Sequence, residues 1–192
     1  HDASGSPRYR LAWYCPDPRW VLTPQSLHIP RRLARRLRRG EFTFSINRRF
    51  EECVRRSARR EQSEQTWLSP ELETGYHQLM NLGHALSLEV WHDRELVGAV
   101  IGVVVGGFVS AESMFHSRRD ASKAGLVTLV QVLAAAGYQL IDVQQASPHC
   151  RQLGSFSLTR NEFLLRHAKA VQCRVKRLGD VVGHLPDRAQ GR

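Results

Sequence analysis

Three apolar, β-branched runs lie between residues 85 and 116, separated by two short turns, and this stretch limits the possible folds more than any other. Residues 85–91, 96–105 and 108–114 are each long enough for a strand, with turn signals at Asp93-Arg94 and at Gly106-Gly107. Connections this short join antiparallel neighbours, so a meander is predicted. Residues 120–136 carry the longest helical pattern, with Leu126, Leu129, Val130 and Leu133 facing a core and Gly137 as a stop. Residues 139–144 then read as a strand. Antiparallel strands, a helix and a strand beside them give an α+β fold with one mixed sheet and flanking helices.

Upstream, residues 30–39 read as a short helix: Pro30 near its start, Leu33 and Leu37 one turn apart, Gly40 at its end. Phe42, Phe44 and Ile46 alternate as a strand does, and residues 48–60 form a second basic helix with Phe50, Cys53 and Val54 inward. Residues 61–65 read as a polar loop, after which Ser69-Pro70 caps a helix carrying Leu72, Tyr76, Leu79 and Met80. Residues 160–171 form a late helix, and residues 176–192 read as a frayed tail.

The net charge of +10 is concentrated in one place. Residues 31–60 hold twelve arginines against Glu41, Glu51 and Glu52, so thirty residues carry +9 and form a small basic N-terminal portion. So little acidic complement favours a polyanion partner over an ordinary solvated helix face, and arginine suits a bidentate grip on phosphate. Cys15, Cys53, Cys150 and Cys173 have no paired spacing, which argues against a zinc cluster or a disulfide scaffold and for a reduced, cytoplasmic protein. Nine histidines form no ligand motif, so neither metal nor cofactor is expected. The apolar run at 97–105 is far too short to cross a bilayer.

Strand alternation puts Asp142 and Gln144 on one side of their strand, and places Glu112 on a face with Phe108, Ser110 and Met114. A carboxylate among such neighbours is costly to desolvate without a partner, so these strands point to a site. The bland alternative for Glu112 is an ion pair with Arg118 or Arg119. Ser113, Ser122 and Lys123 invite a nucleophile, but no histidine stands near a partner acid in a triad-like arrangement; His116 and His149 read as surface or turn residues.

Several motifs in a fixed order resemble one family. They are Trp13-Tyr14-Cys15-Pro16-Asp17-Pro18-Arg19, Thr66-Trp67-Leu68-Ser69-Pro70-Glu71, Leu82-Gly83-His84-Ala85 with Glu89-Val90-Trp91, and Glu112-Ser113-Met114-Phe115. Arg118-Arg119-Asp120-Ala121-Ser122-Lys123, Leu140-Ile141-Asp142-Val143-Gln144 and Ser147-Pro148-His149 before Leu153-Gly154 continue the series. Together they resemble the leucyl/phenylalanyl-tRNA–protein transferases. The resemblance implies a mixed sheet like that of the GNAT-type N-acetyltransferases, with residues 63–175 as the catalytic domain behind a shortened basic portion, 1–62. It implies an aminoacyltransferase that moves leucine or phenylalanine from aminoacyl-tRNA to proteins beginning with Arg or Lys, as a degradation tag, without a covalent intermediate.

By the same resemblance Asp142, Gln144 and Glu112 are the catalytic group, and Met114, Leu126, Leu129, Leu133 and Ile141 line the aminoacyl pocket. Ile141 is the weakest of these, because alternation turns it away from Asp142. Trp67 stacks on the terminal adenine, and Arg31, Arg32, Arg35, Arg36, Arg38, Arg39, Arg55 and Arg59 hold the tRNA backbone. The partners implied are aminoacyl-tRNA and a peptide or protein acceptor, with no membrane, and a monomer is expected. Val109 stands where members often have an aromatic, which changes the pocket's size. The chain has no initiator Met and lacks the family's Gly-rich and Phe-Pro-Trp motifs, so it is read as a trimmed or short form, which leaves open a small-molecule amine as acceptor. An acetyl-CoA enzyme needs a glycine-rich loop entering the long helix, and residues 116–120 contain no glycine. A non-catalytic RNA-binding module would leave Glu112, Asp142 and Gln144 without a role.

Overall fold

The computed structural model describes residues 14–58, 68–145 and 147–176. The predicted meander forms β3 (Ala85–His92), β4 (Glu95–Val105) and β5 (Phe108–His116), paired antiparallel. Helix α4 (Ala121–Ala135) then crosses to β6 (Leu140–Gln144), which lies parallel to β5. Two upstream strands, β1 (Arg19–Leu22) and β2 (Thr43–Ile46), and a three-residue β7 (Phe156–Leu158) complete a seven-stranded sheet ordered β2-β3-β4-β5-β6-β1-β7. The sheet is mixed and the class α+β, as the element order implied. The basic portion expected over 1–62 and the domain expected over 63–175 share this sheet, because β1 pairs with β6 and β2 with β3.

The remaining helices are α1 (Arg31–Arg38), α2 (Phe50–Ala58), α3 (Pro70–Asn81), α5 (Pro148–Gln152) and α6 (Arg160–Val171). One sheet face packs on α4, whose Leu126, Leu129 and Leu133 are at most 1% exposed against Leu88, Val90, Val100 and Ile141. Burying three such leucines contributes about 5–9 kcal/mol at 1.5–3 each. Gly125 permits this close approach, since a Cβ there would lie 2.9 Å from Val90 Cγ2. The other face is covered in two parts. Phe50, Cys53 and Val54 of α2 and Tyr76 of α3 pack on Ala85, Ala99 and Ile101. Phe163 of α6 packs on Val21, Phe108 and Leu140.

Two parts of the structure differ from the sequence expectation. Residues 147–149, read as a turn, open α5: Pro148 takes the first helical position and the Ser147 hydroxyl accepts from the Cys150 N–H. The strand 108–114 also loses its simple alternation. Ile101 pairs with Ser113 but Gly102 pairs with Ala111, so Glu112 is the extra residue of a bulge. Gly102 sits at this irregularity, where a Cβ would lie 2.8 Å from the Ser110 carbonyl oxygen. Glu112 therefore keeps the face of Phe108 and Ser110, but Met114 is turned to the opposite face and packs against the α4 core.

Candidate active site

Asp142 lies in the middle of β6, between β5 and β1, with no exposed surface. A carboxylate buried there needs compensating donors. Arg19, at the start of β1, supplies them: Nη2 donates to Oδ2 at 2.6 Å, and Nε donates to Oδ2 at 3.0 Å and Oδ1 at 3.1 Å. The register delivers the guanidinium here, with Val21 opposite Asp142 and an irregularity between Trp20 and Val21. Burial works against the Arg19 charge, but the hydrogen bonds and field of Asp142 outweigh it and hold the guanidinium's pKa above its ordinary value. Arg19 also lies 5.0 Å over the Phe163 ring, so α6 closes the pair from outside.

Two residues on, Gln144 adopts φ 61°, and its backbone N–H turns back to Asp142 Oδ1 at 2.7 Å. Its side-chain Nε2 donates to Glu112 Oε2 at 2.9 Å. A carboxylate only accepts, so Glu112 fixes which end of the amide faces it. The carbonyl Oε1 is left to accept from another donor. The four residues form one connected series: Asp142 accepts from the Arg19 guanidinium and from the Gln144 backbone N–H, and the Gln144 amide donates to Glu112. Sequence reasoning placed three of the four. Arg19 was missed, although it stands in the quoted Pro18-Arg19 motif and a buried acid calls for a cation.

Around Glu112, Ser57, Tyr76, Ser113, Val54 and Ile101 line a small recess on the α2–α3 side. The Ser57 hydroxyl is buried with no hydrogen-bond partner among the described residues. Burial, reinforced by the Glu112 charge, pushes the Tyr76 phenol up and keeps it protonated. Arg118 and Arg119 do not take up Glu112: Arg118 Nε is 4.0 Å from Glu41 and Arg119 Nε 3.9 Å from Asp120. Leu126, Leu129, Leu133 and Ile141 are core residues at 0–1% exposure on the α4 face, opposite to Asp142, and the half-buried Met114 packs on that same core.

On the basic surface Arg31, Arg32, Arg35, Arg38, Arg39 and Arg55 are exposed. Arg36 is spent internally, bound to both Glu41 oxygens and to Asp120 at 2.7 Å. Those bonds tie α1 to the start of α4. Trp67 and Arg59 lie outside the described residues. The Ser122 hydroxyl is 3.3 Å from His116 Nδ1, and Lys123 Nζ is 3.5 Å from Asp120; neither makes a nucleophile–base–acid series. Among the described residues no three His, Cys, Asp or Glu side chains gather as a metal site, and no helix is long and apolar enough to cross a membrane. A second buried acid, Glu89, was quoted in the sequence only as part of a motif. It accepts from Ser45 and Ser87 at 2.6 Å each and from the Arg49 N–H at 3.2 Å, in a network between β2 and β3.

Residues 21–168 match the family described as leucyl/phenylalanyl-tRNA protein transferase. The protein of that name from Shewanella piezotolerans is 41% identical over 162 residues, covering 83% of this chain and 69% of its own length. The Syntrophobacter fumaroxidans protein is 42% identical over 156 residues, covering 80% of this chain and 67% of its own. For the Chromohalobacter salexigens protein the figures are 42% over 163 residues, 84% and 62%. The chain thus spans about two thirds of the length of these curated relatives. Among solved structures, a GCN5-related N-acetyltransferase from Kribbella flavida aligns with TM-score 0.47 at 14% identity, over 73% of this chain and 54% of its own. L-PGS from Bacillus licheniformis aligns with TM-score 0.49 at 15% identity, over 68% and 46%.

Proposed function

This chain belongs to the leucyl/phenylalanyl-tRNA–protein transferase family, and on that premise we propose that it joins tRNA-borne leucine or phenylalanine to the α-amino group of proteins beginning with Arg or Lys. The reaction is aminolysis of an ester. The neutral amine attacks the aminoacyl carbonyl, a tetrahedral oxyanion forms, the C–O bond to the terminal ribose breaks, and the amine's proton ends on the departing ribose oxygen. The ester is already activated, so positioning and charge stabilisation suffice for rate.

The hydrogen-bonded series ending at Glu112 carries this reading. A carboxamide is too weak a base to hold the amine's proton, but the Gln144 carbonyl oxygen, aimed by Glu112, accepts one N–H and directs the nitrogen lone pair. Asp142 holds the strand end that presents Gln144, and the Arg19 guanidinium holds the Asp142 carboxylate in place. Glu112 Oε1 has no hydrogen-bond partner among the described residues, and with Ser57 and Tyr76 it receives the acceptor's cationic first side chain. The family pattern assigns the aminoacyl side chain to Met114, Leu126, Leu129, Leu133 and Ile141, and the exposed arginines of the outer α1 face, Arg31, Arg35, Arg38 and Arg39, take the tRNA backbone.

The test incubates the protein with radiolabelled leucyl-tRNA and peptides starting with Arg, Lys or Ala, then follows label into peptide. Label in the Arg and Lys peptides alone is expected. Transfer without preference would point to another acceptor, such as a small amine, and no transfer to any peptide would overturn the reading.

A further inference from the structure

A second basic feature lies apart from the outer arginine face of α1. His28, Arg32, Arg119, Asp120, Lys123 and Arg151 surround an open cleft of about 700 Å³. Its four permanent cations come from α1, the loop before α4, α4 itself and α5. Its one acid is already matched, since Asp120 takes Arg36 at 2.7 Å and Lys123 at 3.5 Å. Arg32 donates to no group among the described residues and is exposed, as is Arg119. Four cations from four elements share the one Asp120 carboxylate with Arg36, which leaves a surplus of positive charge that an added anion relieves. This cleft therefore offers a negative ligand a gain that a scattered surface charge does not.

Two further observations agree. Asp120 precedes α4 in a left-handed conformation and gives no side-chain cap, so the N–H groups of a fifteen-residue helix open near these cations without a capping acceptor from that side chain. The cleft opens on the α4 face, at the end of the sheet where β6 finishes in Gln144 and α5 begins. The Arg151 guanidinium lies 4.6 Å over the Trp20 ring, and Trp20 is the register partner of Gln144.

We propose that this cleft binds phosphodiester groups of the donor tRNA close to its aminoacylated end, as a contact separate from the outer face of α1. The proposal rests on the aminoacyl-tRNA reading above for the identity of the ligand, and on the cleft itself for its chemistry. A phosphate anchored beside Trp20 would hold the backbone while the ester reaches Gln144. It would restrict the donor's approach where the outer arginines, on a convex helix face, supply only attraction.

Arg32→Glu with Arg119→Glu tests this without disturbing a buried contact. Binding of uncharged tRNA is measured against salt for wild type and variant, with circular dichroism to check the fold. Each lost contact to single-stranded backbone should reduce the slope of log K against log salt by about 0.7, so a fall of about 1.4 is expected, with affinity weakened at least tenfold at low salt. An unchanged slope and affinity would overturn the proposal. Inorganic phosphate and pyrophosphate form the second arm. If either raises the wild-type melting temperature at the cleft while the variant keeps full tRNA affinity, the cleft is a small-anion site and the RNA assignment fails. Wild-type transfer from leucyl-tRNA is measured alongside. Wild-type tRNA binding with the predicted slope change but no transfer leaves the cleft standing and removes the enzymatic reading; transfer with no slope change does the reverse.

Discussion

Arg19→Met removes the cation facing a carboxylate that has no solvent exposure, while keeping most of the side chain's apolar volume. Three N–H···O contacts to Asp142 are lost, and the Gln144 backbone N–H remains its partner. Breaking a buried pair from one side costs about 3–5 kcal/mol, because the surviving charge is stranded. With a urea dependence of about 2 kcal/mol/M, the unfolding midpoint should fall by about 1.5–2.5 M. Arg19→Met with Asp142→Leu strands no charge and should recover much of that loss. Transfer should fall in the single variant, where Asp142 loses its anchor, and be abolished in the double variant, where the acceptor of the Gln144 N–H is gone. Urea denaturation followed by tryptophan fluorescence, together with the labelled-peptide assay, reads all three proteins. A single variant as stable as wild type, or a double variant less stable than the single, would refute the claim that the pair is a buried, mutually dependent unit.

Glu112→Gln should lower the preference for Arg-starting over Ala-starting peptides about tenfold to a hundredfold, the worth of a charge-assisted hydrogen bond of roughly 1.5–3 kcal/mol. Peptide competition measures it, and an unchanged preference would assign Glu112 to orienting Gln144 alone. Arg35→Ala and Arg36→Ala should separate: the first flattens the salt dependence of tRNA binding by about 0.7–0.9, while the second loosens α1 and lowers the melting temperature. The Arg36 effect depends on pH. Hydrogen bonding to Arg36 depresses the Glu41 pKa, so this stabilisation is present above the ordinary carboxylate range and lost as pH falls through the depressed value; equal melting of wild type and Arg36→Ala at pH 7 would contradict it. Glu89 behaves oppositely. Burial raises its pKa against the hydrogen bonds from Ser45, Ser87 and the Arg49 N–H, so the folded state loses stability as pH rises from about 4.3 through the raised value. Relative to wild type, Glu89→Gln should gain stability across that rise, and a difference independent of pH would show that Glu89 folds already ionised.

The meander, the long helix and the strand after it were legible because each buries a periodic apolar face, and periodicity is a local property of sequence. The helix expected over 120–136 appears as Ala121–Ala135, and that expected over 160–171 as Arg160–Val171. Glu112, Asp142 and Gln144 could be singled out for the same local reason: polar groups in apolar strands demand partners. Which partners they find is a matter of long-range pairing. The insertion of β1 between β6 and β7 joins residues 123 positions apart and brings Arg19 to Asp142, and no local pattern encodes that neighbour. The bulge at Glu112 likewise depends on how β4 and β5 settle around Gly102, and one extra residue was enough to send Met114 to the opposite face from Glu112. The arginine run was visible as charge, but only packing divides it into Arg36, bound to Glu41 and Asp120, the exposed α1 arginines outside the cleft, and Arg32, which meets cations of three other elements.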